Sequence, residues 1–322
     1  MLLYSLVFTT KMDSQLMEII GVFVSKHILI LGSPVDEHAL AVFKHLKSKG
    51  ALVEFIDSVE FPEHLGLSLR MPENQYEIHL QNGKSISQKD ITSIYWRNYN
   101  GININSENYI AKNDTRSLFE SFLRSKDMHW VNGYEGFYKH QNKPFAMQLV
   151  SKILAVKVPK TLFSNDPQQI RQFVSEVGDC IFKPVQGGAH TKKISAEHLN
   201  EKNLASLRES PVCIQERIAG TNVRIFVAGA WVGACTIDTD EVDFRDDQQP
   251  NIKELKINAQ QKQMAKDICD ALDLRWSGID FRMQDNGDLY YLEANPSPMF
   301  MGFEKLSGLP LMEALTNLLM RQ

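Results

Sequence analysis

The stretch Gly278–Asn295, with the sequence GIDFRMQDNGDLYYLEAN, predicts a β-hairpin that carries acidic side chains on one face. Asn286-Gly287 is the strongest short signal for a hairpin, because a type I′ turn needs positive φ at both central residues. If these two residues form the loop, Asp280 lies directly opposite Glu293. The stretch therefore predicts two facing carboxylates on adjacent strands.

The other face of this hairpin provides a check on the register. The same pairing brings only apolar residues together there: Ile279 with Ala294, Phe281 with Leu292, and Met283 with Tyr290. A slip of one residue would instead turn the charged side chains toward the core. The hydrophobic pattern therefore supports the predicted register.

Asp280 and Glu293 would repel each other in this register, since like charges directly opposite on a strand pair are unfavourable. A cation between them removes the conflict. Asn295 lies two residues after Glu293, so its side chain points to the same side of the strand. Hard oxygen donors of this kind suit Mg²⁺, and the pattern predicts a metal site at Asp280, Glu293 and Asn295. A solvated hairpin face, where the carboxylates meet water, is the alternative.

Size and composition indicate a globular protein with room for more than one domain. The chain has 322 residues, of which 43% are hydrophobic and 23% charged, and its net charge of −4 gives no reason to expect nucleic-acid binding. Its four cysteines form no CxxC pair, which is typical of reduced thiols in a cytoplasmic protein. The apolar start of the N-terminal extension (1–24) is too short to span a bilayer. We expect no membrane association and no function for this extension.

The first part of the chain shows the pattern of a β-α-β unit. An apolar run at 27–31 is followed by helical spacing at 36–49 and by a second strand at 52–56. Such a unit predicts a parallel α/β layer. A further strand ends in Arg97, at the strand end where ligands gather in parallel sheets. Arg97 is therefore a candidate for holding an anionic substrate group, and a surface arginine is the alternative.

Residues 183–224 contain side chains suited to phosphate. Lys183 lies within an apolar strand, where a lysine is costly unless its ammonium reaches an anion or water. It leads into Gly187-Gly188, a loop whose backbone N–H groups can approach an anion closely. Arg224 lies on the polar face of an alternating strand, and its planar fork suits phosphate oxygens or a developing oxyanion. A snorkelling lysine and a flexible surface hairpin are the alternatives for the first two features.

Two further segments bear on nucleotide binding. The strand at 212–218 is expected to have an exposed backbone that can pair with the hydrogen-bonding edge of an adenine. A polar loop is expected at 239–253, before a helix at roughly 258–273.

Taken together, these segments resemble the ATP-grasp superfamily, and within it the RimK-like branch of ATP-dependent carboxylate–amine ligases. The resemblance covers roughly residues 135–322. It implies a mixed α/β (α+β) fold, in which an ATP-grasp domain at 135–322 follows a Rossmann-like pre-ATP-grasp domain at 25–134. The lid subdomain is expected at about 160–218.

The resemblance also implies roles for single residues. The implied nucleotide-contacting residues are Lys143, Lys183, Gly187, Gly188, Gln215, Glu216, Ile218 and Asn222. Asn222 is a departure, since the family usually has aspartate there. Arg224 and Lys183 are the implied catalytic residues. Asp280, Glu293 and Asn295 match the family's Mg²⁺-binding signature, so the implied cofactors are ATP and Mg²⁺.

The segment 242–245 further resembles a motif in ATP-grasp maturases of ribosomally made peptides, including the graspetide cyclases. The strand at 95–97 is similar to a Tyr/Arg strand in those enzymes. This likeness implies Arg97 and Arg245 as substrate contacts, and a peptide or protein carboxylate and an amine donor as partners. A homodimer is a further expectation from the family.

The implied chemistry is ADP-forming. A substrate carboxylate attacks the γ-phosphate of ATP, and an amine or a hydroxyl then displaces phosphate from the acyl phosphate to leave an amide or an ester. The loops at 187–188 and 239–253 would act as lids that keep water from the acyl phosphate. The alternatives are a small-molecule amino-acid ligase, a non-catalytic ATP-binding sensor or scaffold, and a kinase-like phosphotransferase.

Overall fold

The computed structural model describes residues 26–104, 107–187, 190–239 and 250–322. The N-terminal extension (1–24), Gly188 and the segment that contains Arg245 lie outside these ranges. Within them, no helix has both the length and the apolar character that crossing a bilayer requires.

The described ranges contain helices, short 3₁₀ turns and strands arranged in four sheets. The strands are β1 (His27–Leu31), β2 (Leu52–Ile56), β3 (Leu65–Arg70), β4 (Gln75–Leu80), β5 (Ser85–Ser87), β6 (Ile91–Trp96), β7 (Trp130–Val131), β8 (Thr161–Ser164), β9 (Cys180–Pro184), β10 (Lys192–Lys193), β11 (Val212–Glu216), β12 (Thr221–Ala228), β13 (Trp231–Asp238), β14 (Asn251–Leu255), β15 (Trp276–Met283) and β16 (Leu289–Asn295). The helices are α1 (Glu37–Ser48), α2 (Tyr109–Leu123), α3 (Tyr134–Gln141), α4 (Lys143–Val150), α5 (Pro167–Val177), α6 (Glu201–Ala205), α7 (Ala259–Ala271), α8 (Met301–Ser307) and α9 (Leu311–Met320).

The first sheet is parallel and confirms the predicted β-α-β unit. Its order is β2-β1-β6-β7, and α1 connects β1 to β2. Helix α1 begins after Asp36, whose carboxylate accepts a hydrogen bond from the Ala39 amide at 2.7 Å. Because β1 and β6 are parallel neighbours, the loops after both strands leave the same edge of the sheet. This arrangement places Arg97 beside the start of α1.

A small antiparallel sheet, β3-β4-β5, flanks this layer. Its core residues Tyr76 and Ile78 share a cluster with Phe119 and Phe122 of α2.

The second large unit is an antiparallel sheet with the order β10-β9-β11-β8. One face packs Ile170 of α5 against Cys180 and Ile214. Side chains alternate along a strand, so Lys183 and Gln215 lie on the opposite face.

A five-stranded antiparallel sheet, β14-β13-β12-β15-β16, contains the predicted hairpin. One face packs against α4 and α7, with Ile225 and Ile279 at its centre. The other face packs against α8 and α9 through Phe226 and Trp276. Because both faces are covered, polar side chains on either face are largely shielded from solvent.

The hairpin loop differs from the prediction. Gln284 N donates to Asp288 O over 3.0 Å and Gly287 N donates to Gln284 O over 2.8 Å, so the loop has three residues, 285–287. Gly287 has φ +86°, whereas Asn286 is not left-handed. A type I turn closed by a left-handed glycine is the usual three-residue form, and the predicted two-residue type I′ turn is wrong.

A β-bulge between the loop and the acidic residues shifts the strand pairing by one residue, back to the predicted register. Leu292 is an extra residue of β16, and beyond it Asp280 pairs with Glu293 as predicted. The predicted partners nearer the loop are wrong by one residue: Phe281 pairs with Tyr291 and Met283 pairs with Leu289.

The predicted loop at 239–253 is too long at its C-terminal end. Residues 251–255 form β14, which pairs with β13 and places Ile252 opposite Ile237 in the core. The apolar residues of β14 are Ile252 and Leu255, whose spacing is not the alternation of a half-buried strand, and the sequence pattern therefore missed a strand at the sheet edge.

The C-terminal helix α9 joins the two halves of the chain. The Ser93 hydroxyl of β6 donates a buried hydrogen bond to the Leu319 carbonyl over 2.7 Å. Leu315 and Leu319 lie in the same core cluster as Ile30 of β1 and Phe226 of β12. The parallel sheet and the five-stranded sheet thus share one core.

Ile225→Ala tests the packing that supports the hairpin. Ile225 has no exposed surface, and the cavity left by its side chain should lower the free energy of unfolding by about 2–5 kcal/mol in urea titrations. Leu154→Ala is the control, since Leu154 is fully exposed and its loss should change stability by no more than about 0.5 kcal/mol. Equal effects of the two substitutions would contradict the assigned core.

Candidate active site

A row of charged side chains crosses three strands of the five-stranded sheet, with two anions between two cations. Arg224, Asp280 and Glu293 are direct neighbours on β12, β15 and β16, so their side chains share one face. Arg224 binds Asp280 with both ends of its fork, at 2.7 Å for Nε–Oδ1 and 2.8 Å for the second nitrogen. Lys143, at the start of α4, donates to Glu293. Each carboxylate therefore has its own cation, which offsets the predicted repulsion between them.

The same neighbours set the ionisation of the row. Burial favours a higher pKa for Glu293, but Lys143 and Lys183 outweigh it and lower the pKa to about 2. Burial raises the pKa of Asp280, with Arg224 opposing the rise and Glu293 adding to it. The pKa of Arg224 is raised because Asp280 outweighs the effect of burial. Glu293 is thus an anion at neutral pH, and Arg224 is fixed as a cation.

The three predicted metal ligands form a suitable donor set. Asp280 and Glu293 are adjacent, and the Asn295 side chain lies on the same face of β16. The Asn295 Oδ1 atom accepts a hydrogen bond from Ser297 N at 2.9 Å, which fixes which end of the amide is the oxygen. Within the described ranges, no three or more His, Cys, Asp or Glu side chains lie together so that they could hold a metal ion. Two carboxylates and an amide suit Mg²⁺, which usually completes its shell with water and substrate phosphates.

Two cavities meet at Lys183 and Leu292. One, of about 470 Å³ including the space open to solvent, is also lined by Lys143, His140 and Glu293. The other, of about 780 Å³ including its open mouth, lies along the β11–β12 linker. The remaining residues that line this second cavity are Ile181, Thr191, Gln215, Glu216, Arg217, Ile218, Asn222, Thr239 and Arg282. Six of the predicted nucleotide residues thus line one continuous cleft, namely Lys143, Lys183, Gln215, Glu216, Ile218 and Asn222.

Lys183 and Lys143 reach this cleft from opposite sides. Lys183 Nζ donates to Gln215 Oε1 at 3.2 Å, and Gln215, which is fully buried, donates in turn to Thr161 Oγ1 at 2.9 Å. Gly187 has φ +116°, and a Cβ atom there would lie 3.5 Å from Lys143 Nζ. The backbone at Gly187 therefore lies close to the Lys143 ammonium, which is paired with Glu293.

The prediction of an exposed strand backbone at 212–218 is wrong for most of its length. β11 is an inner strand that pairs with both β8 and β9 through Gln215. Beyond it, Glu216 N and Arg217 N donate to Lys160 O and Asp179 O. Only the end of the segment, at Ile218, leaves the ladder. Sequence pattern could not show this, because an edge strand and an inner strand share the same alternation.

Arg282 was missed by the sequence analysis. It donates to Ile218 O over 3.1 Å, to Asn222 Oδ1 over 2.8 Å and to Gly220 O. These contacts fix the linker that follows β11 and explain how Asn222 is held in this chain. Pairing of β15 with β12 brings Arg282 opposite Asn222, so the correct register would have been the signal.

Two other residues support the acidic strand β16. His140 Nδ1 donates to the Ala294 carbonyl at 3.0 Å, and burial lowers the pKa of this histidine, so it is neutral. Asn132, fully buried, donates to Pro296 O at 2.6 Å and to Trp276 O at 2.7 Å. Neither residue stands in a recognisable motif, and the sequence held no signal for their roles.

Arg97 lies beside this site and is not a surface arginine. Only 8% of the residue is exposed, and its fork contacts Asp36, Ser297 and Pro298. Its predicted contact with substrate is untested. Arg245, the other predicted substrate contact, lies outside the described residues.

Comparison with known proteins identifies the family. The RimK-like ATP-grasp domain matches residues 140–319, which is more than half of the chain. The chain belongs to the RimK-like ATP-grasp family. The family and the fold predicted from the sequence are therefore confirmed.

Solved structures extend the likeness of this ATP-grasp protein to nearly its whole length. The ATP-grasp ligase PsnB complexed with a minimal precursor superposes with a TM-score of 0.78 at 29% identity, covering 92% of this chain and 98% of that one. A second structure is the RiPP-associated ATP-grasp ligase of Chryseobacterium gregarium, in complex with ADP and a leader and core peptide. It superposes with a TM-score of 0.78 at 20% identity, covering 91% of this chain and 96% of that one. At that identity the second likeness shows the fold alone.

A curated relative matches a shorter part. It is a probable alpha-L-glutamate ligase of Trichodesmium erythraeum (strain IMS101), 25% identical over 182 residues, which are 53% of this chain and 60% of that protein. The chain thus spans less than two thirds of that relative's length. PsnB has also been solved with Mg and ADP, which agrees with the cofactors predicted here.

Glu293→Gln tests the acidic end of the row. The neutral amide should bind Mn²⁺ weakly in the presence of ADP and should abolish Mg²⁺-dependent ADP release, while circular dichroism stays unchanged. Glu254→Gln is the control, because Glu254 ends the same cross-strand row at the opposite, exposed edge of the sheet. Wild-type turnover of the Glu293 variant would remove Glu293 from the mechanism.

Proposed function

We propose that this protein is an ATP- and Mg²⁺-dependent carboxylate–amine ligase that acts on a peptide or protein through an acyl phosphate. The row formed by Arg224, Asp280, Glu293 and Lys143 carries this proposal. It combines anions for a metal ion with cations for phosphate, and its Lys143 and Glu293 line the first of the two cavities that meet at Lys183. Family membership and the likeness to PsnB support the same reaction class.

The chain's own residues bind the nucleotide in the proposed mechanism. Ile218, at the end of the paired strand, offers its backbone to adenine, with Gln215, Glu216 and Asn222 around it. Lys143 and Lys183 hold the phosphates, since both ammonium groups lie at the cleft that Gly187 approaches. Arriving phosphates give Lys143 an anion other than Glu293, so Glu293 is released toward its metal role.

Arg224 serves the transfer itself, beside the residues that would hold the metal ion. Mg²⁺, when bound by Asp280, Glu293 and Asn295, neutralises charge on the transferring phosphoryl group. Arg224 is fixed before substrates arrive, by Asp280 and by the Phe303 ring 4.6 Å below its guanidinium. A preorganised cation of this kind stabilises developing oxyanions without further reorganisation.

Two displacements complete the reaction. A carboxylate oxygen of the substrate forms a bond to the γ-phosphorus, and the bond to the ADP oxygen breaks. The amine nitrogen then attacks the acyl carbon, the bond to phosphate breaks, and the nitrogen loses a proton. Positioning both partners can supply roughly 7–11 kcal/mol of the barrier, so no nucleophilic side chain is required.

A peptide substrate has more support than a free amino acid. The match to PsnB covers 98% of the PsnB chain, and that structure contains a minimal precursor. The glutamate ligase matches over only 60% of its length.

A screen of peptides with Mg-ATP tests the proposal. With peptides that contain acidic residues together with Lys, Ser or Thr, the protein should release ADP from ATP. The peptide should either lose the mass of one water by cyclising or gain an amine with loss of one water. Hydroxylamine should trap the acyl phosphate as a hydroxamate. Free amino acids and the Glu293→Gln variant are the controls, and neither should give product.

Other products of the same screen would point elsewhere. A stable gain of one phosphate would indicate a phosphotransferase, and ligation of free amino acids alone would indicate a small-molecule ligase. Nucleotide binding without turnover of any substrate would indicate a sensor or scaffold.

Three further points belong to the proposal. We place a pre-ATP-grasp domain at 25–134, an ATP-grasp domain at 135–322 and a lid at about 160–218. We propose a cytoplasmic location, which agrees with four buried, unpaired cysteines. A homodimer stays a prediction from the family.

A further inference from the structure

The turn that follows the acidic strand, residues 295–298, is held by a side chain of the first sheet. One terminal nitrogen of Arg97 donates to Ser297 O and to Ser297 Oγ at 3.0 Å each, and to Pro298 O at 3.3 Å. The Ser297 hydroxyl donates back to the Arg97 carbonyl at 2.6 Å. Arg97 and Ser297, which are 200 positions apart in sequence, thus exchange hydrogen bonds in both directions.

Arg97 is buried at its contact with Ser297, and its charge is paired. The Arg97 side chain is 7% exposed, and its Nε donates to Asp36 Oδ1 at 3.0 Å. Despite the opposing effect of burial, this arginine lowers the pKa of Asp36, so Asp36 is an anion that balances its charge. Burying an arginine is costly unless its donors are satisfied. Here protein carbonyls, a hydroxyl and Asp36 satisfy Nε and one terminal nitrogen, and the second terminal nitrogen makes no hydrogen bond to the described residues.

The turn connects this contact to a proposed metal ligand. Ser297 N donates to Asn295 Oδ1 at 2.9 Å, a local bond that sets the rotamer and the flip of the amide. Asn132 Nδ2 holds the residue between them through Pro296 O at 2.6 Å. A shift of Ser297 would therefore move the Asn295 oxygen on the face that carries Asp280 and Glu293.

We propose that Arg97 is a positioning residue for the metal site, which it orders through Ser297 and Asn295. The proposal rests on the metal ligands of the proposed function. Residues that support metal ligands in this way usually change metal affinity by about 10–100-fold when they are replaced. The first sheet therefore contributes to the metal site without supplying a ligand.

Arg97→Lys and Ser297→Ala test the proposal. Lysine keeps the charge but cannot reproduce the fork, and alanine removes only the hydroxyl. Binding of Mn²⁺ to the ADP complex, measured by electron paramagnetic resonance, should weaken by about tenfold in Arg97→Lys and by a smaller factor in Ser297→Ala. The Kd for ADP without divalent ions, and the Kd for a peptide found in the screen, should stay within twofold of wild type.

Lys139→Met is the matched control. Lys139 also bridges two segments, through Ala271 O and the Asp273 carboxylate at 2.5 Å, but it lies away from the metal ligands. It should bind Mn²⁺ as the wild type does. Thermal unfolding of all variants separates loss of fold from loss of metal affinity. If Arg97→Lys does not fold, Ser297→Ala decides.

Wild-type Mn²⁺ affinity in the deciding variant would overturn the proposal, and so would a raised Kd for the peptide with metal affinity unchanged. Failure of the wild-type protein to bind Mn²⁺ with ADP would overturn it as well, since the metal ligands would then be wrong. If the wild type binds Mn²⁺ and ADP but no peptide releases ADP, the proposed reaction fails and this inference stands.

Discussion

The structure depends on a balance of charge across three strands of a buried sheet. Asp280 and Glu293 are direct neighbours on adjacent strands, an arrangement that would be unfavourable for two unpaired anions. Arg224 on one side and Lys143 on the other make it tolerable. In the proposed function the same two cations also serve the phosphate oxygens. The side chains that balance the charge of the sheet would then also provide the affinity for an anionic ligand.

Lys143 is held less firmly than Arg224. Arg224 is locked by a bidentate contact within the sheet, whereas Lys143 comes from the start of a helix and approaches Gly187 across the cleft. A single ammonium on a flexible stem can exchange one anion for another, and a planar fork held at two points cannot do so as readily. The row therefore combines one fixed cation with one that can follow the phosphates.

The sequence predicted the acidic pair correctly although it predicted the loop wrongly. Alternation of polar and apolar residues determined which face Asp280 and Glu293 occupy, and a bulge at Leu292 offset the longer loop. The ATP-grasp fold, the parallel first layer and the gathering of Lys143 and Lys183 were also within reach, because local pattern and motif order determine them. Bulges depend on the local twist of a strand pair, which hydrophobic period does not report.

The contacts that hold the site in place were out of reach of the sequence. Arg97 meets Ser297, and Asn132 meets Pro296, across more than 150 positions of chain. Arg282 needed the true register before its place opposite Asn222 could be known. These are single polar residues whose partners are decided by how the two large sheets pack, and no periodicity in the chain records that packing.

Anomalous diffraction from crystals grown with Mn²⁺ and a non-hydrolysable ATP analogue would test the central claim most directly. The account predicts a manganese peak in contact with oxygens of Asp280, Glu293 and Asn295, with Lys143 on the phosphates instead of on Glu293. A nucleotide bound with manganese elsewhere, or with Lys143 still on Glu293 and no metal beside it, would contradict the account.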